Sequence, residues 1–207
     1  MEIIKIIDEL ISERKIFFSE SDFQFALAWE IKRFYDDAKI RLEYCPNPKG
    51  KEYIDIIVNL ENKIYPIELK YKTKSFTTED NNEIYHLKNQ AATDHGRYDY
   101  LKDIWRIEKF LKENENFECG YAILLTNDNL YWSKNKPKTI DEQFYLNENE
   151  IITGELGWSE KTSEGTKKGR EKKIVLDGEY KINWNEFSNF GKKNGEFRYC
   201  LNEIKKR

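Results

Sequence analysis

Apolar and polar residues alternate most regularly between Tyr53 and Lys74, in the stretch YIDIIVNLENKIYPIELKYKTK. Residues 53–58 and 64–71 are rich in Ile, Val and Tyr, which suit a pleated, half-buried surface, and they predict two β-strands folded back on each other. Towards the N-terminus the period is helical. Ile3, Ile4, Ile7, Leu10 and Ile11 form one stripe of a short helix over 1–14. Phe23, Ala26, Leu27, Ile31 and Phe34 form the buried face of a second helix over 19–35, and Ser19-Glu20-Ser21-Asp22 gives it a capping-box-like start. Ile40 to Cys45 alternates and predicts a strand, closed by the turn-formers Pro46-Asn47-Pro48-Lys49-Gly50.

Residues 72–92 are polar and predict a loop, with a short helix near His86–Gln90. Asp94–Lys112 predicts a long helix whose broad apolar side carries Leu101, Ile104, Trp105, Ile107, Phe110 and Leu111. Cys119–Thr126 is a near-continuous apolar run, as in a strand buried on both faces. Residues 133–173 are polar and show no strong period, while Tyr180–Trp184 and Phe197–Leu201 predict short strands at the sheet margin. The reading is an α/β core over residues 1–132, with residues 133–207 a polar, basic extension packed on the same domain.

The hairpin carries the candidate chemistry. Side chains alternate along a strand, so Asp55 shares a face with Tyr53 and Ile57, and Glu68 shares one with Lys70. A two-residue turn at Glu61-Asn62 pairs Leu60 with Lys63 and sets Asp55 directly opposite Glu68, roughly 4.5–5.5 Å away at Cβ. Two carboxylates that close repel each other unless a cation lies between them, and Lys70 adds a positive charge beside them. Such an oxygen set suits Mg²⁺, with Mn²⁺ as substitute. Pro66 cannot donate a ladder hydrogen bond, so it marks either a bulge that re-aims Glu68 and Lys70 or an unpaired strand start.

Glu20 and Glu30 fall on the apolar face of the second helix, where a carboxylate is costly unless paired or cation-bound. Glu20 is the first candidate to join the hairpin acids and Glu30 the second; for Glu20 the structural alternative is a first-turn acid on the helix dipole. Lys72 and Lys74, beside Tyr71, suit phosphate contacts or form a solvated face. Arg97 near a helix start would add a guanidinium fork to the free N–H groups there, and is a candidate substrate contact. His95 has no second histidine nearby and reads as a hydrogen-bonded structural residue.

At 207 residues the chain is long enough for one substantial core, and its 39% apolar and 35% charged residues give a very polar surface. The net charge of −3 excludes a generally basic nucleic-acid coat. Residues 161–207 carry thirteen basic and seven acidic side chains, and this net +6 leaves −9 for the remainder. That asymmetry suits an arm reaching toward a nucleic-acid backbone, or a solvated surface. Cys45, Cys119 and Cys200 are scattered and odd in number, which predicts three reduced, buried thiols in place of a disulfide framework or zinc site. With acids inside its first apolar run, no small-residue cleavage site and no apolar run of about 20 residues, the chain is expected to be cytoplasmic, away from any membrane.

An Asp, a step of thirteen residues, then Glu-Leu-Lys on the following strand, all placed on a hairpin, resembles the PD-(D/E)XK nuclease superfamily. The resemblance covers about the first two-thirds of the chain; Ile54 stands where the written motif has Pro. It implies a restriction-endonuclease-like αβββαβ core, with a mixed central sheet flanked by helices, and the predicted element order agrees with it. It further implies a divalent-metal-dependent nuclease acting on phosphodiester bonds, with DNA the first expectation and RNA the second, in restriction, defence or repair. Asp55 and Glu68 would be metal ligands, Leu69 would add its main-chain carbonyl, Glu20 would complete the shell, and Lys70 would act on the attacking water and the phosphate. Many cleavage enzymes of the superfamily dimerise, which makes a homodimer an expectation too. The alternative is a silent nucleic-acid-binding or interaction module on the same fold.

Overall fold

A computed structural model describes residues 1–46, 52–134 and 137–206. Two helices open the chain, α1 (Ile3–Glu13) and α2 (Glu20–Phe34), followed by strands β1 (Lys39–Tyr44), β2 (Ile54–Leu60) and β3 (Lys63–Lys72). A small hairpin, β4 (Phe76–Asp80) and β5 (Glu83–Leu87), leads into the long helix α3 (Thr93–Glu113) and strand β6 (Cys119–Thr126). Then come β7 (Ile151–Leu156), the single-turn helix α4 (Glu164–Lys167), β8 (Ile174–Lys181), β9 (Trp184–Asn189) and β10 (Glu196–Lys205). The turn expected at Pro46–Gly50 falls mostly on residues 47–50, outside the described residues.

The central sheet has six strands in the order β1-β2-β3-β6-β10-β9. It is mixed, because β3 and β6 run parallel while the remaining neighbours are antiparallel. One face carries a core built with α1 and α2, including Ile7, Phe23, Leu27, Ile67, Leu69 and Tyr71. The other carries a second core built with α3 and the β7–β8 ribbon, including Tyr100, Ile104, Ile107, Leu124 and Leu176. All eight residues of β6 are buried, as its unbroken apolar run predicts. Among the described residues no helix is long and apolar enough to cross a membrane.

Near its turn the β2–β3 hairpin forms in the predicted register, but the pairing ends at Ile56 and Ile67, so Asp55 and Glu68 are not the directly paired residues expected. Glu61 and Asn62 make its two-residue turn with φ of 51° and 64°, the doubly left-handed geometry whose twist matches that of the strands. Leu60 pairs with Lys63, and pairing runs without a shift to Ile56 opposite Ile67. Pro66, opposite Ile57, therefore sits within a regular ladder and marks neither a bulge nor an unpaired start. Pairs alternate between bonded and non-bonded from the turn outward, so the Pro66 nitrogen faces away from β2 and the ladder to β2 loses no bond. Against it lies Gly120 of β6, where an added Cβ would come within 3.0 Å of the Pro66 ring and 2.3 Å of Ile107. The glycine is the space the proline and α3 require.

Three expectations change. Residues 76–87 form a β-hairpin, β4–β5, in place of a loop and short helix; Asn81 and Asn82 take φ of 50° and 64° in its turn, while Phe76, Tyr85 and Leu87 anchor it to the first core. Phe197–Leu201 belongs to the ten-residue β10, which lies between β6 and β9 inside the sheet, because its Phe197, Tyr199, Cys200 and Ile204 are apolar enough to be buried there. Residues 133–207 thus supply two of the six central strands. Cys119 and Cys200 are buried as expected, whereas Cys45, beyond the end of β1, is only half-buried.

Candidate active site

Beyond Ile56 and Ile67 the hairpin forks. Ile54 remains paired with Tyr44 of β1, while β3 continues alongside β6 as far as Lys72. Alternate N–H groups of a strand point to opposite edges, so those of Leu69 and Tyr71 face the gap left by β2. Two carboxylates fill it. Asp55 Oδ2 accepts from Leu69 N at 2.6 Å, and Glu20 Oε2 accepts from Tyr71 N at 2.7 Å. Glu20 reaches this point because it is the first residue of α2, whose start is set by Ser19 Oγ accepting from Asp22 N and by Tyr71 Oη donating to the Phe17 carbonyl. One turn further along α2, Gln24 Nε2 donates to the Asp55 carbonyl at 2.6 Å and to Glu43 Oε1 at 2.8 Å.

Glu68 and Lys70 project from the other face of β3, toward α3. There they meet two residues that the sequence reading did not single out. Lys70 Nζ lies 2.5 Å from Asp103 Oδ2 and donates to the Leu69 carbonyl at 3.0 Å. Arg106, one turn beyond Asp103, places Nη2 3.2 Å from Glu68 Oε1 and Nη1 3.3 Å from Asp103 Oδ1, and Nη2 also donates to the Tyr53 carbonyl. Glu68 is 1% exposed and Asp103 4%. Even so, Glu68 Oε1 accepts no aligned hydrogen bond; it is near the Arg106 cation without being bonded to it.

Four carboxylates, of Glu20, Asp55, Glu68 and Asp103, therefore share this region with two cations, Lys70 and Arg106, and the acids interact electrostatically through Asp55 and Lys70. Burial, with further pressure from Asp103 and Glu20, pushes the Asp55 carboxyl up to about 6 against the pull of Lys70 and the Leu69 N–H. Burial, Asp103 and Asp55 hold Glu68 well above the usual carboxylate range despite Arg106 and Lys70. For Lys70 burial acts downward, but Asp103, Asp55 and Glu20 outweigh it and keep the ammonium charged beyond the normal range. With all six groups ionised, two negative charges are left uncompensated, and buried charge without compensation is costly.

The other expected residues lie elsewhere or are engaged. Glu30 is buried on α2 in an ion pair with Arg33 at 2.9 Å, among Leu10, Phe25 and Trp29, so Glu20 is the acid of this helix that reaches the hairpin. Arg97, expected to face a substrate, is instead 4% exposed: it pairs with Asp141 at 2.5 Å, donates to the Leu130 carbonyl at 2.6 Å and stacks over Tyr145. An acid 44 residues further on draws it inward. Lys74 is held by Asp128 at 2.8 Å and Asn129 at 3.2 Å, while Lys72 is half-buried at the end of β3. His95 Nε2 donates to the Thr166 carbonyl at 2.6 Å, a structural role as expected. In the basic run after Thr166, Arg170 is committed to Asp99 through two bonds of 2.7 Å.

Asp103 was findable. At 100° per residue it lies within about 20–40° of Ile107 and Phe110, a carboxylate in the middle of the helix's apolar side. Among the described residues no group of three or more His, Cys, Asp or Glu is drawn together tightly enough to hold a metal ion as it stands. In comparisons with known proteins, no family model and no curated protein matches the chain.

Proposed function

We propose that this protein is a divalent-metal-dependent nuclease that hydrolyses phosphodiester bonds, with DNA the first substrate to test. The observation that carries the reading is the fork between β2 and β3, where Asp55, Glu68 and Lys70 gather with Glu20 and leave carboxylate charge in excess of the available cations. Mg²⁺ or Mn²⁺ fits that excess: one divalent ion offsets two negative charges, and Glu68 Oε1 is a buried oxygen without a hydrogen-bond partner. Asp55 and Glu68 would hold the ion, with the Leu69 carbonyl and Glu20 as further oxygens. Bound there, it would supply charge neutralisation at the phosphate and acidify a water molecule.

The chain's own residues would do the rest. Lys70, clamped by Asp103 and kept protonated, is suited to orient the attacking water and to stabilise charge on the phosphoryl oxygens, and unsuited to act as a base. Asp55 must be ionised to bind a cation, which its raised pKa places above about pH 6. Water adds at phosphorus, one P–O ester bond breaks, and the leaving oxygen ends as a hydroxyl. The test is cleavage of plasmid, linear, single-stranded and RNA substrates with Mg²⁺ or Mn²⁺, alongside Glu68→Ala and Lys70→Ala. Metal-dependent cleavage that falls by about 100-fold or more in both variants is expected. Equal activity in all three preparations would betray a contaminant and refute the proposal.

One observation favours the second reading, a silent binding module. Asp55 and Glu20 already have structural work as acceptors for Leu69 N and Tyr71 N, and Glu68 and Asp103 already face cations. Nucleic-acid binding that is indifferent to Mg²⁺ and to Asp55→Ala, with no cleavage, would decide for that reading.

A further inference from the structure

The guanidinium of Arg106 has the right charge for its position and an imperfect fit to it. Arginine normally grips a carboxylate with two parallel, aligned N–H bonds. Here Nη2 is 3.2 Å from Glu68 Oε1, yet that oxygen accepts no aligned bond, and Arg106 Nε is itself buried without a partner. The aligned bonds of this side chain go elsewhere, to the Tyr53 carbonyl and to Asp103. Arg106 is 15% exposed while Glu68 is 1%, so the cation stands on the solvent side of the acid. A charge held by proximity and not by a closed hydrogen-bonded fork is one that another cation can replace.

We propose that Arg106 is the resident counter-ion of Glu68, and that a divalent cation binds this site in competition with it, displacing the guanidinium from Glu68. The inference rests on the reading of Glu68 as a cation ligand. It gives α3 a positioning role: Asp103 keeps Lys70 in place through its own ion pair, and Arg106, three residues on and on the same side of the helix, keeps Glu68 from standing as an unbalanced buried charge before the ion arrives. On release Nη1 keeps its bond to Asp103, while Nη2, the nitrogen near Glu68, turns further toward the Tyr53 carbonyl it already bonds.

The experiment is calorimetric titration of the full chain with MnCl₂ and MgCl₂, comparing wild type, Arg106→Gln and Glu68→Gln. Removing the competitor is expected to tighten Mn²⁺ binding by about tenfold or more in Arg106→Gln, while Glu68→Gln loses it. Unchanged or weaker binding by Arg106→Gln, with the wild type binding normally, overturns the competition and leaves the metal site standing. No binding by wild type and Arg106→Gln alike removes both. Because Arg106→Gln leaves Glu68 without its cation and can fail to fold, a second measurement uses the wild type: the arginine Nε–H signal in ¹H–¹⁵N NMR that is lost in Arg106→Lys. That signal is expected to move on Mg²⁺ addition while the signal of Arg14, held by Asp22, stays fixed. An Arg106 signal unmoved at saturating Mg²⁺ overturns the inference.

Discussion

Replacing Asp55 with Asn is expected to stabilise the protein in the absence of metal while abolishing the proposed activity. The reason is the cost of an ionised Asp55. Its carboxyl is raised from 3.8 to about 6, chiefly by burial, so the folded state binds the proton more tightly than the unfolded state does. Stability is then greatest at low pH and falls as pH rises through the interval from about 4 to about 6. At pH 7.5 the ionised group costs the fold about 3 kcal/mol. That figure already contains the favourable bond from Leu69 N, which an asparagine oxygen can still accept, and Lys70 keeps Asp103 at 2.5 Å. A gain of about 1–3 kcal/mol remains, worth roughly 2–4 °C in Tm for each kcal/mol in a chain of this size. The assay is urea unfolding in EDTA from pH 4 to 8 for wild type and Asp55→Asn. The two stabilities should lie closest near pH 4, diverge as pH rises to about 6, and hold a constant gap from there to pH 7.5, with the variant above. Saturating Mg²⁺ should narrow or invert that gap by stabilising the wild type alone. A variant less stable than wild type at every pH, or a gap that does not depend on pH, would show that the Asp55 charge is well compensated, and the reasoning from burial would fail.

Two further expectations concern the pairs around the site. Lys70→Met should cost about 3–5 kcal/mol in urea unfolding, because it strands Asp103, and adding Asp103→Asn should recover more than half of the loss; equal cost with and without Asp103 would mean the two are uncoupled. Arg97→Met should destabilise by a similar amount, about 3–5 kcal/mol, through the stranded Asp141, yet leave nucleic-acid affinity of the folded protein unchanged; weakened binding by the folded variant would return Arg97 to a substrate role.

What could be read in advance was local. The Glu61-Asn62 turn, the strand alternation around it and the Ser19 cap are decided within a few residues, and they bring Asp55, Glu68 and Glu20 to the same region without the direct Asp55–Glu68 pairing expected. The β4–β5 hairpin was missed although its turn uses the same chemistry: Asn81-Asn82 tolerates left-handed backbone as Glu61-Asn62 does, but Thr77, Glu79 and His86 on the outer side masked the alternation of Phe76, Tyr85 and Leu87. Arg97 was misread because its partner, Asp141, comes close only through the fold. Beyond Ile56 and Ile67, β2 stays with β1 while β3 stays with β6, a parting that no spacing within the hairpin encodes.

The place of β10 has a consequence for how the molecule comes into being during synthesis. Sixty-nine residues separate the end of β6 from the start of its partner, so for that stretch of translation the fully buried β6 waits with one edge bare. Bare, hydrophobic strand edges are templates for pairing with other chains. A fragment stopped near Trp132, which holds every proposed ligand of the metal site, would leave that edge open for good. The part of the chain that carries the candidate site is thus not portable by itself: it depends for its solubility on a strand made after it.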